Sequence, residues 1–268
     1  MDVGMNDGAD TAFYLAKGFE VVAVEADPEL VVAACERFSV EIAEGRLCVI
    51  EAAIAETAGT TRFAIADGMT IWSTLDPEFL RRNAKIEYRY VEVRTVRFAD
   101  LLREHGVPYY LKVDIEGLDM LPVRALHELG DRPRYVSLES SVSSNLAPFD
   151  RVFDELAELW SLGYRGFKYV NQRRLGRVRL PPRPLEGTSV ADRPDGHWSG
   201  PFGRETPGRW LAAGQALALA QFLRTKHNIG GYGGRWRQTP PGFAYAATRM
   251  LLLRRAHSWY DLHARMGD

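Results

Sequence analysis

The sequence predicts an α/β protein with a mostly parallel twisted sheet, helices on both faces of that sheet, and a loop-rich and helical C-terminal extension. Short apolar runs rich in β-branched residues alternate with helical patterns through the first part of the chain, which is typical of βαβ units. Of the 268 residues, 46% are hydrophobic and 26% charged, as in packed globular proteins rather than disordered or coiled-coil chains. The alternation stops near residue 172, where the extension is expected to begin.

Alternation with a period of two, together with β-branched residues, predicts seven strands. They are 20–24, 47–50, 61–66, 90–96, 109–114, 135–138 and 166–170. Helical spacing predicts five helices between or after them. They are 10–17, 28–38, 98–105, 120–128 and 149–162. Asp27 and Pro28 open the second helix as an N-cap and a proline at the first helical position.

The chain from residue 173 onward has a different character. Residues 173–208 mix Pro, Gly and Arg with little periodicity, and a connection of this length is usually a lid or a binding segment. A helix is predicted over 210–226, and a glycine-rich stretch follows at 228–234. The last stretch, 243–265, includes an amphipathic helix predicted over 243–260. We therefore expect two domains, 1–172 and 173–268.

The charges are unevenly distributed along the chain. The whole-chain net charge is -1, but residues 1–165 carry 17 basic and 29 acidic residues, whereas the remaining 103 carry 17 basic and 6 acidic. This asymmetry predicts a basic surface on the C-terminal part, which would either bind an anionic ligand or dock onto the acidic part of the same protein. No RNA-binding motif accompanies it, so nucleic acid is not an expected partner.

Cysteine usage and hydropathy bear on the cellular location. Cys35 and Cys48 are too few and too far apart for a metal knuckle or a disulfide scaffold, and we expect two unpaired core thiols in a reducing cytoplasm. The first ten residues are acidic where an export signal would be basic and then apolar. The longest nearly apolar stretch, 210–223, is shorter than the roughly 20 residues of a membrane span, so no transmembrane segment is expected.

A glycine loop precedes the first predicted helix. Gly4, Asn6 and Gly8 lie in it, and Glu25 follows about twenty residues later at the end of an apolar strand. Glycines let backbone amides approach a ligand, the helix N-terminus supplies partial positive charge, and the later carboxylate can accept hydrogen bonds from ribose hydroxyls. The pattern predicts a nucleoside site. Asn6 stands where the dinucleotide loop needs a glycine, which disfavours a nicotinamide-dependent oxidoreductase.

These residues resemble the FkbM-type methyltransferases, S-adenosylmethionine-dependent enzymes with a Rossmann-like class I methyltransferase fold. The resemblance covers about residues 1–140 and rests on several separated stretches in the order of the family, among them the stretch from Leu111 to Gly117. The stretches are 2–8, 24–28, 52–54, 93–102 and 111–117. The resemblance makes 1–172 the methyltransferase domain and S-adenosylmethionine the expected cofactor.

The resemblance also implies cofactor-binding residues. They are Asp2, Gly4, Asn6 and Gly8 around the methionine part, Glu25 at the ribose, and Ala53 beside the adenine. Ser73 and Thr74, next to Trp72, match a serine-rich stretch that lies near the cofactor in the family. The alternative for this stretch is that Trp72 simply packs on the sheet.

The N-terminus departs from the family pattern. The family has a full apolar strand ahead of the glycine loop, whereas this chain begins at Met1 and Asp2. Either the native protein has an N-terminal extension or the neighbouring strands close over the gap. The extension is the favoured expectation.

Charged residues gather at the end of the strand predicted over 109–114. Its period of two places Lys112, Asp114 and Glu116 on one side, and ligands of open α/β sheets bind beyond the carboxyl ends of the strands. Asp114 and Glu116 could orient or deprotonate an acceptor hydroxyl, or they could hold a divalent metal together with Glu139. A third reading is a salt bridge to Lys112 without a catalytic role.

His197 is a further catalytic candidate. It lies in a glycine-rich part of the long loop, beside Trp198, whose ring could stack on a sugar or base. The ordinary pKa of histidine, near 6.5, suits a base at neutral pH. His197 is therefore read as a base or acceptor ligand within a lid, and the alternative is an ordinary loop residue.

The predicted function is that of an S-adenosylmethionine-dependent O-methyltransferase. Its expected acceptor is a hydroxyl of a small polar molecule, a sugar of a glycoconjugate or polysaccharide, and this acceptor class is implied by the resemblance alone. The alternative is a noncatalytic methyltransferase-like protein that binds an anionic partner through its basic C-terminal part.

Overall fold

The computed structural model describes residues 1–143, 149–190, 198–230, 239–253 and 259–267. The chain forms two compact units. The first consists of Met1–Leu138 and Arg179–Thr206, and the second of Glu139–Val178 and Pro207–Asp268. The expected division at residue 172 does not coincide with these units, because the segment Arg179–Thr206 returns to the first one.

The first unit contains most of the regular structure. Its helices and strands, in chain order, are β1 (Asp2–Val3), α1 (Ala9–Ala16), β2 (Val21–Glu25), α2 (Pro28–Arg37), α3 (Ser39–Ala43), β3 (Leu47–Glu51), β4 (Ala53–Ile54), β5 (Gly59–Ala66), α4 (Pro77–Arg82), β6 (Tyr88–Val96), α5 (Phe98–His105), β7 (Tyr110–Val113), α6 (Met120–Ala125) and β8 (Tyr135–Glu139). The last residue of β8 begins the second unit. Asp27 caps α2, since its Oδ1 accepts the Glu29 N–H at 2.9 Å, as predicted.

Five strands of the first unit form a parallel sheet in the order β3, β2, β1, β7, β8. This confirms the predicted α/β class and its mostly parallel sheet. The central strand β1 has only two residues, and Val3 pairs with Val24 on one side and Val113 on the other. The short strand expected from the sequence therefore still brings the carboxyl ends of β1, β2 and β7 to one edge of the sheet.

A second sheet was not predicted. Strands β4, β6 and β5 form it, with β5 antiparallel to β6 and β4 parallel to β6. The predicted strands 61–66 and 90–96 are confirmed, but they pair with each other rather than joining the parallel sheet. A small apolar core lies beside them; its buried members are Ala26, Ala53, Phe63, Ile65 and Val93.

The second unit contains α7 (Phe149–Ser161), β9 (Tyr164–Asn171), α8 (Ala213–Gly230), α9 (Pro240–Leu253) and β10 (Tyr260–Met266). The helix predicted over 243–260 overlaps α9, and it is wrong at its last residue, because Tyr260 begins β10, which pairs antiparallel with β9. Apolar Leu262 and Ala264 alternate there with polar neighbours, which is the period of a strand rather than of a helix.

Two further expectations concern hydropathy and cysteines. Within the described ranges, no helix is both long enough and apolar enough to cross a membrane. Cys35 and Cys48 are free thiols, but both are exposed, so their expected place in the core is wrong. Cys35 lies on a solvent-facing side of α2, and Cys48 lies on β3, at the edge of the parallel sheet.

Candidate active site

Gly4 lies where the glycine loop passes the end of β7. Its φ is +81°, and a Cβ atom at this position would collide with the carbonyl oxygen of Asp114. The amides of Gly4 and Met5 both donate to the carbonyl of Val24, at 2.9 and 3.1 Å. Only glycine fits this turn, which keeps the loop close to the ends of β2 and β7.

Asn6 and Gly8 complete the loop. Asn6 has a φ of 49°, in the left-handed region that asparagine tolerates better than most residues. Gly8 precedes α1 with a φ of 75°, and a Cβ atom there would lie 2.7 Å from the ring of Phe38. The N-terminus of α1 therefore begins directly behind the loop, with its partial positive charge on that side.

Glu25 is buried and holds the glycine loop by hydrogen bonds. Its Oε2 accepts the Asn6 N–H at 2.7 Å, and its Oε1 accepts the N–H groups of Ala26 and Asp27 at 2.8 and 2.9 Å. Burial raises the pKa of Glu25, and the three hydrogen bonds oppose that effect. The sequence predicts a ribose ligand for Glu25, and the structure adds a role in holding the loop. The ribose contact stays a prediction.

Lys112 lies below the loop and was singled out only as part of the charged strand end. Its Nζ donates to the carbonyl of Gly4 at 2.8 Å and lies 3.2, 3.6 and 3.8 Å from carboxylate oxygens of Asp2, Asp10 and Asp114. Burial alone would lower the pKa of Lys112, but the three carboxylates raise it well above its usual range. The loop is therefore tied to a buried charge cluster.

Asp2 belongs to this cluster. Its side chain is fully buried, and its Oδ2 accepts a hydrogen bond of 2.7 Å from the Thr11 hydroxyl, so it links β1 to α1. The sequence predicts that Asp2 touches the methionine part of the cofactor. That contact stays a prediction, and the observed bonds give Asp2 a supporting role beneath the loop.

Ala53 and Ser73 were predicted to lie near the cofactor. Ala53 is buried in the apolar core beside the second sheet, and the Ser73 hydroxyl accepts the Ala66 N–H at 3.2 Å. Thr74 rather than Ser73 reaches the loop 114–119 that follows β7, here called the acidic loop, since its hydroxyl donates to the carbonyl of Glu116 at 2.7 Å. Trp72 is half-buried, consistent with the packing alternative, although its contact with a cofactor stays untested.

Asp114 and Glu116 form an acidic pair beyond β7. Both are half-buried, and a carboxylate oxygen of one lies within 4.8 Å of one of the other. Glu116 adopts a left-handed backbone with a φ of 48°. The salt bridge alternative is partly seen, since Lys112 lies 3.8 Å from Asp114. Glu139 begins the second unit, and the hypothesis of a metal shared by three carboxylates stays a prediction.

Sequence reasoning missed Asp119, which holds the acidic loop from within. Its two carboxylate oxygens accept the N–H groups of Ile115 at 3.0 Å and Gly117 at 3.3 Å. Burial, followed by the nearby charge of Asp114, raises the pKa of Asp119 to about 7. Aspartate side chains in turns often accept hydrogen bonds from nearby backbone N–H groups, and an aspartate this close to Gly117 could have suggested the role.

The predicted lid is attached to the first unit at several points. His197 lies outside the described residues, so its predicted role is not addressed by the structure. The ring of Trp198 packs edge-on against Phe13, with ring centroids 5.1 Å apart, and its stacking on a ligand stays a prediction. Ser199 donates its N–H and hydroxyl to Asp10 at 2.8 and 2.9 Å. These bonds hold the segment against α1.

The basic C-terminal part is described only in places. Arg224 is buried and donates to the carbonyl of Ser141 at 2.8 Å, so this cation supports the second unit from inside. Several other predicted members of the basic surface lie outside the described residues; they are Arg235, Arg237, Arg254 and Arg255. The anionic ligand stays a prediction.

Comparison with known protein families decides the membership of the chain. A family described as the methyltransferase FkbM domain matches residues 2–166. The chain belongs to this family. No curated protein and no solved structure matched the chain significantly. The match contains the glycine loop, Glu25 and the acidic loop of the FkbM domain, and it supports a methyltransferase; of the predicted site residues, only His197 lies outside it.

Proposed function

We propose that this FkbM protein is an S-adenosylmethionine-dependent O-methyltransferase that acts on a hydroxyl of a small polar acceptor, a sugar of a glycoconjugate or polysaccharide. The observation that supports it most is the 2.7 Å hydrogen bond from the Asn6 N–H to Glu25. This bond joins the glycine loop to the carboxylate at the end of β2, the two features from which class I folds build a nucleoside site.

The residues around the loop are suited to the cofactor. Glu25 Oε2 accepts one hydrogen bond within the described part of the chain and has a further lone pair for a ribose hydroxyl. Ala53 is small and apolar and belongs to the core beside the second sheet, and an apolar surface of this kind would suit an adenine ring. The loop from Gly4 to Gly8 would lie beside the methionine part, and the side-chain amide of Asn6 would offer it hydrogen-bond donors. When bound, S-adenosylmethionine supplies a methyl group on a sulfonium.

The acidic pair would bind the acceptor. Asp114 is 42% exposed, and a carboxylate accepts hydrogen bonds from sugar hydroxyls. Methyl transfer is a single displacement, so aligning the hydroxyl with the methyl group supplies most of the acceleration, up to roughly 7 to 11 kcal/mol. Removal of the hydroxyl proton by Asp114 or Glu116 would add about 10² to 10⁴-fold. We therefore assign Asp114 and Glu116 first to orientation and then to proton acceptance.

Titration calorimetry with S-adenosylhomocysteine tests the cofactor assignment without knowledge of the acceptor. We expect micromolar binding by the wild type and a loss of at least tenfold for Glu25→Gln, because the substitution places an amide opposite the Asn6 N–H. Glu20→Gln, at the other end of β2 and exposed, is the matched control and should bind as the wild type does. A well-folded wild type that does not bind would refute the assignment.

A transfer assay tests the acceptor assignment. Transfer of a labelled methyl group from S-adenosylmethionine to a panel of monosaccharides and glycosides should fall about 10²-fold or more in Asp114→Asn, while the affinity for S-adenosylhomocysteine stays within about twofold. Full turnover by Asp114→Asn would remove this residue from the mechanism. The noncatalytic alternative instead predicts salt-sensitive binding to heparin by a chain that does not bind the nucleoside.

The location is also a proposal. Two free cysteines, both exposed, suit a reducing compartment, because exposed thiols oxidise readily elsewhere. We assign the protein to the cytoplasm. Fractionation of cells expressing a tagged protein would check this.

A further inference from the structure

A short segment between β5 and α4 contacts both loops of the candidate site. It runs over 67–75 and includes the 3-10 helix Thr70–Trp72. Its C-terminal part is held on β5, because Thr74 and Ala64 exchange backbone hydrogen bonds of 2.9 and 3.1 Å. The segment therefore starts from a fixed base and extends toward the glycine loop.

At one end the segment reaches Asn6. The hydroxyl of Thr70 donates to the side-chain oxygen of Asn6 at 2.9 Å, across 64 positions of sequence. The backbone of Asn6 is already fixed by its bond to Glu25. Because the amide oxygen is engaged by Thr70, the two N–H donors of the amide point away from it. The orientation of the Asn6 side chain is thus set before a ligand arrives.

At the other end the segment reaches the acidic loop. The Thr74 hydroxyl donates to the carbonyl of Glu116 at 2.7 Å and accepts the Asp76 N–H at 2.9 Å. Thr74 is 1% exposed, so these bonds are shielded from water and position the segment firmly. Thr70, by contrast, is exposed, and its bond to Asn6 lies at the surface of the loop.

We propose that Thr70 is a positioning residue for the cofactor, which orients the Asn6 amide so that its N–H donors meet the carboxylate of the methionine part. The inference rests on the proposed function and on the predicted place of Asn6 beside that part. Its physical basis is preorganisation, since a donor that is already oriented does not pay the entropy of ordering when the ligand binds.

Two nucleoside ligands separate this role from general damage. S-adenosylhomocysteine carries the amino acid part, whereas 5′-methylthioadenosine carries the same nucleoside without it. Thr70→Val should bind S-adenosylhomocysteine about 3- to 10-fold more weakly, the value of one neutral hydrogen bond, and should bind 5′-methylthioadenosine as the wild type does. Thr70→Ser should restore the affinity. Thr60→Val, also exposed but at the far end of β5, should change neither.

Other outcomes overturn the inference. An equal loss for both ligands would mean that Thr70 only supports the fold, and an unchanged affinity would mean that Asn6 is oriented without it. A wild type that binds both ligands equally would show that the methionine part gains nothing from the loop. If the wild type binds neither ligand, the proposed function is wrong, and the inference about Thr70 is wrong as well. Melting temperatures confirm that each variant is folded.

Discussion

The ammonium group of Lys112 donates a 2.8 Å hydrogen bond to the carbonyl of Gly4, so the strand below the site holds the loop above it by a buried charge. Asp2 and Asp10 neutralise this charge from β1 and α1. The relationship explains why charged residues are found inside the parallel sheet: they fix the loop in place, and the folded state keeps them because each has a partner of opposite sign.

Removing the Lys112 charge should destabilise the first unit strongly. Lys112→Met leaves Asp2 and Asp10 buried beside each other without a cation, and breaking a buried pair in this way costs about 3 to 5 kcal/mol. Urea denaturation should show this decrease in the free energy of unfolding. Lys85→Met, at an exposed position, should leave it unchanged within about 0.5 kcal/mol. A small effect of Lys112→Met would show that the cluster relaxes or takes up protons at no cost.

Substitution of Gly4 by alanine should destabilise the protein more than the same substitution at another glycine with a similar backbone conformation. Gly4→Ala places a Cβ atom against the carbonyl of Asp114, and the loop must move away from β7. Gly45 has a φ of +73° but no atom within 4 Å of the added Cβ, so Gly45→Ala should cost only the left-handed strain of roughly 1 to 2 kcal/mol. We expect a larger loss of stability and a loss of S-adenosylhomocysteine affinity in Gly4→Ala alone. Equal effects of the two variants would contradict the close approach.

Asp119 should make the protein less stable as the pH rises. Its pKa is raised by burial to about 7 in the folded state, so the folded state binds this proton more tightly than the unfolded chain does. The stability it contributes is present below the ordinary carboxyl pKa near 4 and is lost as the pH rises toward 7. Asp119→Asn should therefore flatten the fall in the free energy of unfolding between pH 4 and 7, by at most about 4 kcal/mol.

Denaturation curves at several pH values would measure this effect. Asp131→Asn, on an exposed carboxylate, should reproduce the wild-type profile. Asp10 acts in the same direction, because burial, only partly offset by Lys112, raises its pKa to about 6. The free energy of unfolding of Asp119→Asn should therefore still fall with pH, but with a smaller slope than in the wild type. An unaltered slope would contradict the raised pKa of Asp119.

His263 should make the second unit sensitive to acid. Burial, and then the charge of Lys168 on the neighbouring strand, lower the pKa of His263 to about 3. Neutral His263 contributes fully to the free energy of unfolding above the ordinary histidine pKa near 6.5. This contribution is lost as the pH falls toward 3. His263→Leu should be less destabilised by acid than the wild type, by about 3 kcal/mol at pH 4.

Unfolding followed at pH 4 and pH 7 tests this difference. The Nε2 of His263 has no hydrogen-bond partner among the described residues, so leucine removes no such bond there. His127→Gln, at an exposed histidine, is the control and should show the acid sensitivity of the wild type. The prediction fails if His263→Leu loses as much stability at pH 4 as the wild type does.

Local patterns predicted most of the elements of this fold. The helix at 98–105 has the predicted bounds, and Gly4, Asn6 and Glu25 do meet at one edge of the sheet because parallel strands bring their ends together. These features depend on neighbouring residues or on the shared direction of strands, and both are visible in the sequence. The roles of these residues toward a ligand remain predictions.

What the sequence could not predict depends on contacts between distant residues. The bond between Thr70 and Asn6 spans 64 positions, and no local pattern indicates it. The strand β10 was not predicted, because its pairing partner β9 lies far away in the sequence. The missed second sheet has the same origin, since alternation predicts a strand but not its partner.

The buried ion pair between Lys17 and Glu205, 2.8 Å long, has a consequence for the order of synthesis. The matched FkbM region ends at residue 166, yet Lys17, which follows α1, is paired with a residue 188 positions later in the chain. During synthesis, the charge of Lys17 therefore has no Glu205 partner until most of the chain has been made. An expression fragment cut at the family boundary would leave that lysine unpaired, so soluble production should require residues through Thr206.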